Sequence, residues 1–475
     1  MDRLNPENLL EVNDAARVGA AAGEDICPIE MDEIVIAPDA IDALIEIIAR
    51  YAGSERVLLV TDRTPIFRKG VELRSVIRDR LARRVEFDYI ELPPAPADEY
   101  HPTLEDALRL AERVKAFTTV VSVGAGSITD VVKHARSVAE SHTKQMIRFV
   151  CVPTAASVTA YTSAIAVLTH AGCKRNFQSR LPEAVVCDLQ TLADAPKAMT
   201  AAGFADVLAR SVAYGDWVLA HELGMDDKFS LVPNRLLEPT ERAMLASADA
   251  IACGDLDAVR LLTEGLLLAG MCMSVINHTA PISGWEHVIS HFLDMTAARD
   301  GRRMALHGGQ VAVGTLIAAR AYEQSWDALD IAAIQRNIIE RDAAAYHKTI
   351  AGIFDECDPS GRMTAEVISE FDVKVLHWNA STSERAQFAE THKDGTLMDR
   401  INTVNRPLDV IDDALRRAGA PRRFCELDQQ TPDVAGLAAI RHGYVVRSRF
   451  TLGDLLQFSG WLTESRAEAL LSAAG

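Results

Sequence analysis

Short apolar runs alternate with longer amphipathic stretches through the first 195 residues of the chain. Runs typical of buried parallel strands occupy 57–61, 87–92, 119–123, 147–152 and 184–187. Between them, helical periodicity marks 103–116 and an arginine-rich stretch that ends near residue 84. This alternation of strands and helices predicts a parallel sheet with crossover helices.

The pattern changes after Pro196, where strand-like runs almost disappear. Long Ala- and Leu-rich stretches with helical periodicity follow at 200–223, 239–253, 255–277 and 310–323. The chain therefore predicts two domains, an α/β domain at 1–195 and a mainly α-helical domain at 196–475.

Three other segments carry weaker signals. The prolines at 93–96 are predicted to end the second strand. The polar segment 378–405 fits either a long loop or a pair of surface helices. The acidic, Ala-rich opening through Glu24 predicts a flexible or loosely docked arm.

Composition narrows the class of protein. The 475 residues carry 49 basic and 67 acidic side chains, and the net charge of −18 disfavours a nucleic-acid or anionic-membrane surface. Eight scattered cysteines suit buried, reduced thiols. There is no signal-peptide pattern at the start, and no uninterrupted apolar run reaches the roughly 18 residues of a membrane helix. We expect a soluble, cytoplasmic protein without membrane insertion, assembled as a homo-oligomer.

Three histidines, His287, His291 and His307, fall within 21 positions. The first two are four residues apart, which places both on one face of a helix, one turn apart. Together with a carboxylate, such a set can hold a divalent metal ion. The sequence therefore predicts a metalloenzyme.

A strand runs through glycines into a helix at 120–130. Gly124, Ala125, Gly126 and Ser127 would present backbone N–H groups and a helix N-terminus to a phosphate. The segment is neither the GxGxxG fingerprint nor a P-loop, because the P-loop lysine is missing. On these residues alone, a structural turn explains the pattern as well as a phosphate site does.

The segment 124–133, GAGSITDVVK, resembles the GGGSxxDxxK loop of the iron-containing alcohol dehydrogenase superfamily. The resemblance implies that this loop, with Asp130, grips the pyrophosphate of a nicotinamide dinucleotide, and that Thr154 lies on the next cofactor strand. Asp62 stands where the family often has an acid at the adenosine ribose. Since a carboxylate there bonds a 2′-hydroxyl and repels a 2′-phosphate, NAD is favoured over NADP. The implied fold is a Rossmann-like α/β domain and an α-helical metal-binding domain, with the active site in the cleft between them.

GWEHVISH at 284–291 and LHG at 306–308 resemble the superfamily signature GxxHxxAH followed by PHG. The first and last histidines of that signature are metal ligands, which implies His287 and His307 here. AGFADVLA at 202–209 matches the place of the carboxylate ligand and implies Asp206. Arg210 stands where the iron-dependent branch has a fourth ligand, which leaves one open position. Zn²⁺ suits such a set, with Ni²⁺ and Fe²⁺ as alternatives.

Within the superfamily, the chain resembles the glycerol-1-phosphate dehydrogenases at 216–217, 283–287, 418–421 and 447–452. That branch has a Ser-x-Asp-Gly turn beside the substrate, whereas this chain has SVTAY at 157–161, with Thr159 in place of the aspartate. The basic cluster Lys174-Arg175-Asn176, together with Arg180, fits either a substrate-phosphate site or a solvated loop.

The implied reaction is the NADH-linked, reversible reduction of a small, phosphorylated ketone at the metal, with dihydroxyacetone phosphate to sn-glycerol 1-phosphate as the lead case. His291 is implied near the nicotinamide, as a proton relay or as support for the ligands. Two alternatives stay open at this point. One is a dehydroquinate-synthase-like cyclase that uses NAD transiently, and the other is a non-catalytic dinucleotide-binding relative.

Overall fold

The fold consists of two compact units. The computed structural model describes residues 3–92, 100–335 and 343–472. Unit 1 comprises 1–170, 174–207 and 230–277, and unit 2 comprises 171–173, 208–229 and 278–475. The prolines at 93–96, predicted to end a strand, lie outside the described residues.

A six-stranded parallel sheet forms the centre of unit 1. The strands of the described residues are β1 (Glu33–Ala37), β2 (Val57–Asp62), β3 (Phe67–Arg68), β4 (Val71–Glu72), β5 (Phe87–Leu92), β6 (Thr119–Gly124), β7 (Arg148–Pro153), β8 (Ile165–His170), β9 (Cys173–Gln178) and β10 (Ala184–Asp188). The main sheet has the order β1-β10-β7-β6-β2-β5, and all its neighbours are parallel. All five predicted strands belong to it, so the prediction of a parallel sheet is confirmed.

Helices cover this sheet because its central strands are apolar on both faces. The helices of unit 1 are α1 (Leu9–Gly19), α2 (Ile41–Ala52), α3 (Leu73–Leu81), α4 (Leu104–Val114), α5 (Gly126–Thr143), α6 (Leu189–Asp194), α7 (Lys197–Leu208), α9 (Val232–Ala246), α10 (Ala248–Cys253) and α11 (Leu256–Val275). Leu208, the last residue of α7, already belongs to unit 2.

One core cluster joins α2 and α3 to a face of the sheet. Leu44 and Ile48 from α2 and Ile77 from α3 pack with the strand residues Leu59 and Val121, and all five are fully buried or nearly so. Burial of a side chain of this size stabilises a fold by roughly 1.5–3 kcal/mol. The strands are therefore held at fixed positions, and their carboxyl ends form a common edge.

The N-terminal segment, predicted to be a flexible or loosely docked arm, forms a docked helix, so the flexible alternative is wrong. Helix α1 buries Val12, Ala15 and Ala16. The Asn13 amide exchanges two hydrogen bonds with the backbone of Ile29, at 2.8 Å and 3.2 Å. Polar residues that looked like a solvated arm in the sequence therefore serve as hydrogen-bond partners for backbone groups.

Helix α11 is long and apolar enough to cross a membrane by length and composition, with a mean hydropathy of 1.5. However, 94% of its apolar window is buried inside the protein, which is the environment of a core helix.

The eight cysteines are all free, and four of them, Cys151, Cys173, Cys187 and Cys272, are buried. The predicted buried location is thus wrong for Cys253 and Cys425, which are exposed.

Unit 2 is helical throughout its larger segments. Its helices are α8 (Arg210–Glu222), α12 (Trp285–Thr296), α13 (His307–Ser325), α14 (Ile331–Gln335), α15 (Ala343–Phe354), α16 (Arg362–Ala380), α17 (Thr382–Lys393), α18 (Thr396–Val404), α19 (Leu408–Arg417), α20 (Asp433–His442), α21 (Leu452–Phe458) and α22 (Glu464–Ser472). The segment 378–405 contains α17 and α18, so the helix-pair alternative is the correct one.

The compact units interleave along the chain. Helices α9, α10 and α11 belong to unit 1 together with the sheet, although the predicted boundary near residue 195 placed them in the second domain. The helical character predicted after Pro196 is confirmed, while the domain boundary itself stays a prediction.

Replacing Asn13 by Ala is expected to loosen α1 locally. The two lost hydrogen bonds are worth about 1–2 kcal/mol, so backbone hydrogen exchange in 9–19 should accelerate roughly tenfold. Val18, 82% exposed on the same helix, provides the matched control Val18→Ala. Equal exchange in both variants would mean that Asn13 does not dock the helix.

Candidate active site

The predicted cofactor residues meet at the carboxyl edge of the sheet. Asp62 ends β2, Gly124 ends β6, and Thr154 directly follows β7. These three strands are neighbours, and Gly124 pairs in register with Pro153. In open parallel sheets, ligands bind outside this edge.

The strand-to-helix turn predicted to hold phosphate is present. Helix α5 begins at Gly126, and its N-cap residue Ala125 makes no side-chain capping hydrogen bond. The first turn also carries no acidic residue. An uncapped helix N-terminus with its positive dipole end suits an anionic group.

Asp130 has partners within unit 1. Its carboxylate lies 2.8 Å from Lys133 Nζ and accepts a hydrogen bond from the backbone N–H of Val167 at 3.1 Å. Lys133 also donates to the carbonyl of Ala160 at 2.9 Å. This geometry favours a role for Asp130 in fixing α5 against β8 rather than a direct contact with the cofactor.

Asp62 is held by the turn that follows it. Its Oδ1 accepts a hydrogen bond from the backbone N–H of Thr64 at 2.9 Å. Burial raises the pKa of this carboxyl above its ordinary value, and the hydrogen bonds from Thr64 and the charge of Arg74 oppose that rise. A partly desolvated carboxyl group at this edge suits a hydroxyl partner.

Asp206 lies on α7, close to the turn that carries Thr159. Its Oδ2 accepts a hydrogen bond from the backbone N–H of Thr159 at 3.0 Å. One turn earlier, a Cβ on Gly203 would lie only 2.0 Å from the carbonyl oxygen of Ala156, so only glycine lets the helix approach so closely. The closeness of α7 to this turn therefore sets the position of the Asp206 carboxylate.

The predicted basic cluster does not act as one group. Arg180 forms ion pairs with Glu140 at 2.8 Å and with Glu183, so its guanidinium supports the fold. Lys174 is half-buried on β9. Burial raises the pKa of Asp130, and the charge of Lys174 is among the interactions that oppose this rise. Of the two, Lys174 stays the candidate for a substrate phosphate.

Asp206 belongs to unit 1, whereas all three predicted histidines belong to unit 2. His287 and His291 lie on α12, and His307 begins α13. The imidazole centroid of His307 lies 5.0 Å from that of His287 and 5.9 Å from that of His291. The structure therefore brings the three histidines together, as the sequence predicted.

Each ligand candidate has a hydrogen-bond partner at Nδ1. For His287 it is Glu286 Oε1 at 2.8 Å, and for His307 it is Ser290 Oγ at 3.0 Å. A partner at Nδ1 leaves Nε2 as the metal-binding nitrogen and fixes the orientation of the ring. The donor chemistry of both histidines therefore fits a divalent metal ion.

His291 has a different partner. Its Nδ1 accepts a hydrogen bond from Nε of Arg447 at 3.4 Å. The proton of the neutral ring then resides on Nε2, where it can be donated. This arrangement distinguishes His291 from the two ligand candidates.

The buried carboxyl groups of Asp216 and Glu286 form a pair beside Gly284, at the start of α12, which was not predicted from the sequence. A Cβ on Gly284 would lie 2.6 Å from Asp216 Oδ2 and 2.9 Å from Glu286 Oε2, so both acids face this glycine. Burial and the charge of Glu286 raise the pKa of Asp216 to about 7. Both acids stand in segments that resemble the glycerol-1-phosphate dehydrogenases, 216–217 and 283–287, but nothing in the sequence indicates that their carboxyl groups meet.

Comparison with known proteins now identifies the family. Residues 35–196 match the family model described as iron-containing alcohol dehydrogenase. Glycerol-1-phosphate dehydrogenase (NAD(P)+) of Halalkalibacterium halodurans is 32% identical over 298 residues, which are 62% of this chain and 71% of that protein. The chain belongs to the glycerol-1-phosphate dehydrogenase family.

Two further proteins extend the comparison. The enzyme of the same name from Bacillus subtilis is 28% identical over 66% of this chain and 76% of its own length. A probable glycerol dehydrogenase from Sinorhizobium meliloti has a similar fold, with a TM-score of 0.54, 17% identity, and coverage of 94% of this chain and 96% of the other. The predicted fold class is confirmed.

The glycerol-1-phosphate dehydrogenase family consists of metal-dependent, NAD(P)-linked oxidoreductases that act on small molecules. The prediction of a metal-containing, nicotinamide-linked dehydrogenase is thereby confirmed. The cyclase and the non-catalytic binder lose support, because the curated relatives are dehydrogenases.

Stability should depend on pH through Asp216. The folded protein holds its proton up to about pH 7, whereas the carboxyl of an unfolded chain releases it near 3.8. Because the folded state binds more protons between these values, the stabilisation is complete at low pH and is lost as the pH rises to 7. Across this range, it should fall by an amount on the order of 4 kcal/mol.

Urea unfolding of the parent and of Asp216→Asn at pH 4.5, 6 and 8 measures this effect. The parent should lose stability relative to the variant as the pH rises. Asp79 is exposed on α3, so Asp79→Asn is the control and should keep the slope of the parent. Parallel curves for the parent and Asp216→Asn would contradict the assignment.

Proposed function

We propose that this chain reversibly reduces dihydroxyacetone phosphate to sn-glycerol 1-phosphate with a nicotinamide cofactor. The observation that carries the proposal is the set of curated relatives named glycerol-1-phosphate dehydrogenase, together with the paired histidines of α12 and α13. The difference at Thr159 concerns the substrate turn and leaves the histidines unchanged.

The proposed metal ligands are Asp206, His287 and His307, each of which offers one ligand atom. One carboxylate and two imidazoles suit Zn²⁺ as first choice, with Ni²⁺ and Fe²⁺ as alternatives. The buried Arg210 stands near Asp206 in the sequence where a fourth ligand would otherwise come, which supports a set of three protein ligands.

A divalent ion in this set supplies Lewis-acid polarisation of the substrate carbonyl. The protein's own side chains orient the ligand histidines and form hydrogen bonds to the substrate. Glu286 and Ser290 orient the two ligand histidines. His291, fixed by Arg447, would donate an Nε2–H hydrogen bond to the substrate oxygen, and the proton that completes the alcohol would come from solvent.

The cofactor is proposed to bind along the carboxyl edge of the sheet. The turn 124–127, which leads into α5, would hold its pyrophosphate, and Asp62 would accept a hydrogen bond from the ribose. Thr154 follows β7 beside this turn, and its N–H donates to the carbonyl of Gly124 at 3.2 Å. NAD is thus favoured over NADP.

Lys174 is proposed to contact the substrate phosphate. The guanidinium of Arg180 is already engaged in ion pairs with Glu140 and Glu183, which favours Lys174 for this role. Thr159, whose backbone supports Asp206, offers a neutral hydroxyl where the branch has a carboxylate, and this lowers the repulsion of a phosphorylated ketone. We also infer a cytoplasmic homo-oligomer.

Replacing Asp206 by Asn is expected to remove stoichiometric metal and to lower turnover at least about 100-fold, since a metal ligand and its charge are lost. Metal content after dialysis and NADH oxidation with dihydroxyacetone phosphate measure the two effects. Asp79→Asn should retain both. A fully active Asp206→Asn enzyme would overturn the ligand assignment, and parent enzyme that turns over no ketone would overturn the dehydrogenase proposal.

Replacing Asp62 by Asn should change the choice of cofactor. Without the carboxylate, the 2′-phosphate is no longer repelled, so the ratio of kcat/KM with NADPH to that with NADH should rise about tenfold. Steady-state kinetics with both cofactors give this ratio. An unchanged ratio would place the ribose elsewhere.

A further inference from the structure

We propose that Ser290, Gln310 and Asp294 form a hydrogen-bond relay that orients His307 and fixes its metal-binding nitrogen. The proposal rests on the proposed role of His307 as a ligand. Ser290 and Asp294 lie on α12, Gln310 lies on α13, and all belong to unit 2.

The direction of the relay follows from Ser290. Its Oγ lies 2.6 Å from Gln310 Oε1, an amide oxygen that can only accept. The single hydroxyl proton therefore points at Gln310. The lone pairs of Oγ are then left to accept a hydrogen bond from Nδ1–H of His307, 3.0 Å away.

Asp294 fixes the amide of Gln310. The amide nitrogen donates to Asp294 Oδ1 at 3.1 Å, so its carbonyl must face Ser290. Ser290 and Gln310 are both 0% exposed, and water therefore does not replace either partner. Because the Gln310 amide and the Ser290 hydroxyl each donate in a fixed direction, Ser290 accepts from Nδ1–H of His307, and Nε2 is left as the metal-binding nitrogen.

The two ligand histidines differ in the hydrogen-bond partner at Nδ1. Nδ1 of His287 faces the carboxyl group of Glu286, whereas Nδ1 of His307 faces a neutral hydroxyl. A charged acceptor increases the electron density of the imidazole more than a neutral one does. His287 is then the stronger donor, and His307 depends on the relay for orientation.

The relay uses helical spacing. Ser290 and Asp294 follow His287 by three and seven residues on one face of α12, and Gln310 follows His307 by three on α13. The superfamily signature GxxHxxAH has alanine at the position of Ser290. Since the signature has a methyl group where this chain has a hydroxyl, alanine should be tolerated there by the fold.

Zn²⁺ affinity of the full chain, measured by competition with a chromophoric chelator, tests the relay. Ser290→Ala should bind Zn²⁺ about tenfold more weakly than the parent and shift the visible bands of the Co²⁺-substituted protein. Ser459 is also buried, and its hydroxyl donates to the carbonyl of Leu456 within its own turn. Ser459→Ala should therefore leave both readouts unchanged.

Gln310→Met tests whether the three residues act as a unit. It should weaken Zn²⁺ binding as Ser290→Ala does, and the double variant should be no weaker than the worse single variant. Additive losses, or parental affinity and an unshifted Co²⁺ spectrum in Ser290→Ala, would overturn the relay. Loss of metal in Asp206→Asn alongside that result would leave the proposed function intact, whereas retention of metal in Asp206→Asn would overturn the ligand set itself.

Discussion

One buried carboxyl group, that of Asp216, connects the helices that carry the histidines. From α8, it accepts hydrogen bonds from the backbone N–H groups of Trp285 and Leu452, at the starts of α12 and α21, and from the hydroxyl of Tyr322 on α13. The starting residues of two helices and a side chain of a third thus share one acceptor. The spacing of the imidazoles depends on this junction, because α12 and α13 are fixed there.

Within each unit, glycines determine how closely neighbouring polar groups can lie. Gly284 leaves room for two acids beside the start of α12, and Gly203 brings α7 against the turn of Thr159. In both places, a methyl group would occupy the space of an oxygen atom. The chemistry of the site therefore depends on the absence of side chains as much as on the presence of histidines.

The sequence predicted those features whose signals are local. Runs of valine and leucine marked β2, β6 and β7, and a resemblance in short motifs marked His287 and His307. The docking of α1 was missed because Asn13 looks like a solvent residue until Ile29 is placed beside it. Asp216 and Gln310 were missed for the same reason, since their partners are distant in the chain or lie on another helix.

The internal pairing of Asp130 with Lys133 has an electrostatic consequence for ligand capture. Because the lysine charge is neutralised within the fold, the N-terminus of α5 attracts anions mainly through its backbone dipoles. Such attraction is lost within a few ångströms, while the net charge of −18 acts over longer distances. At the proposed cofactor site, an anionic ligand would therefore be repelled during its approach and held only on arrival, so that selectivity would arise at contact and not during diffusion.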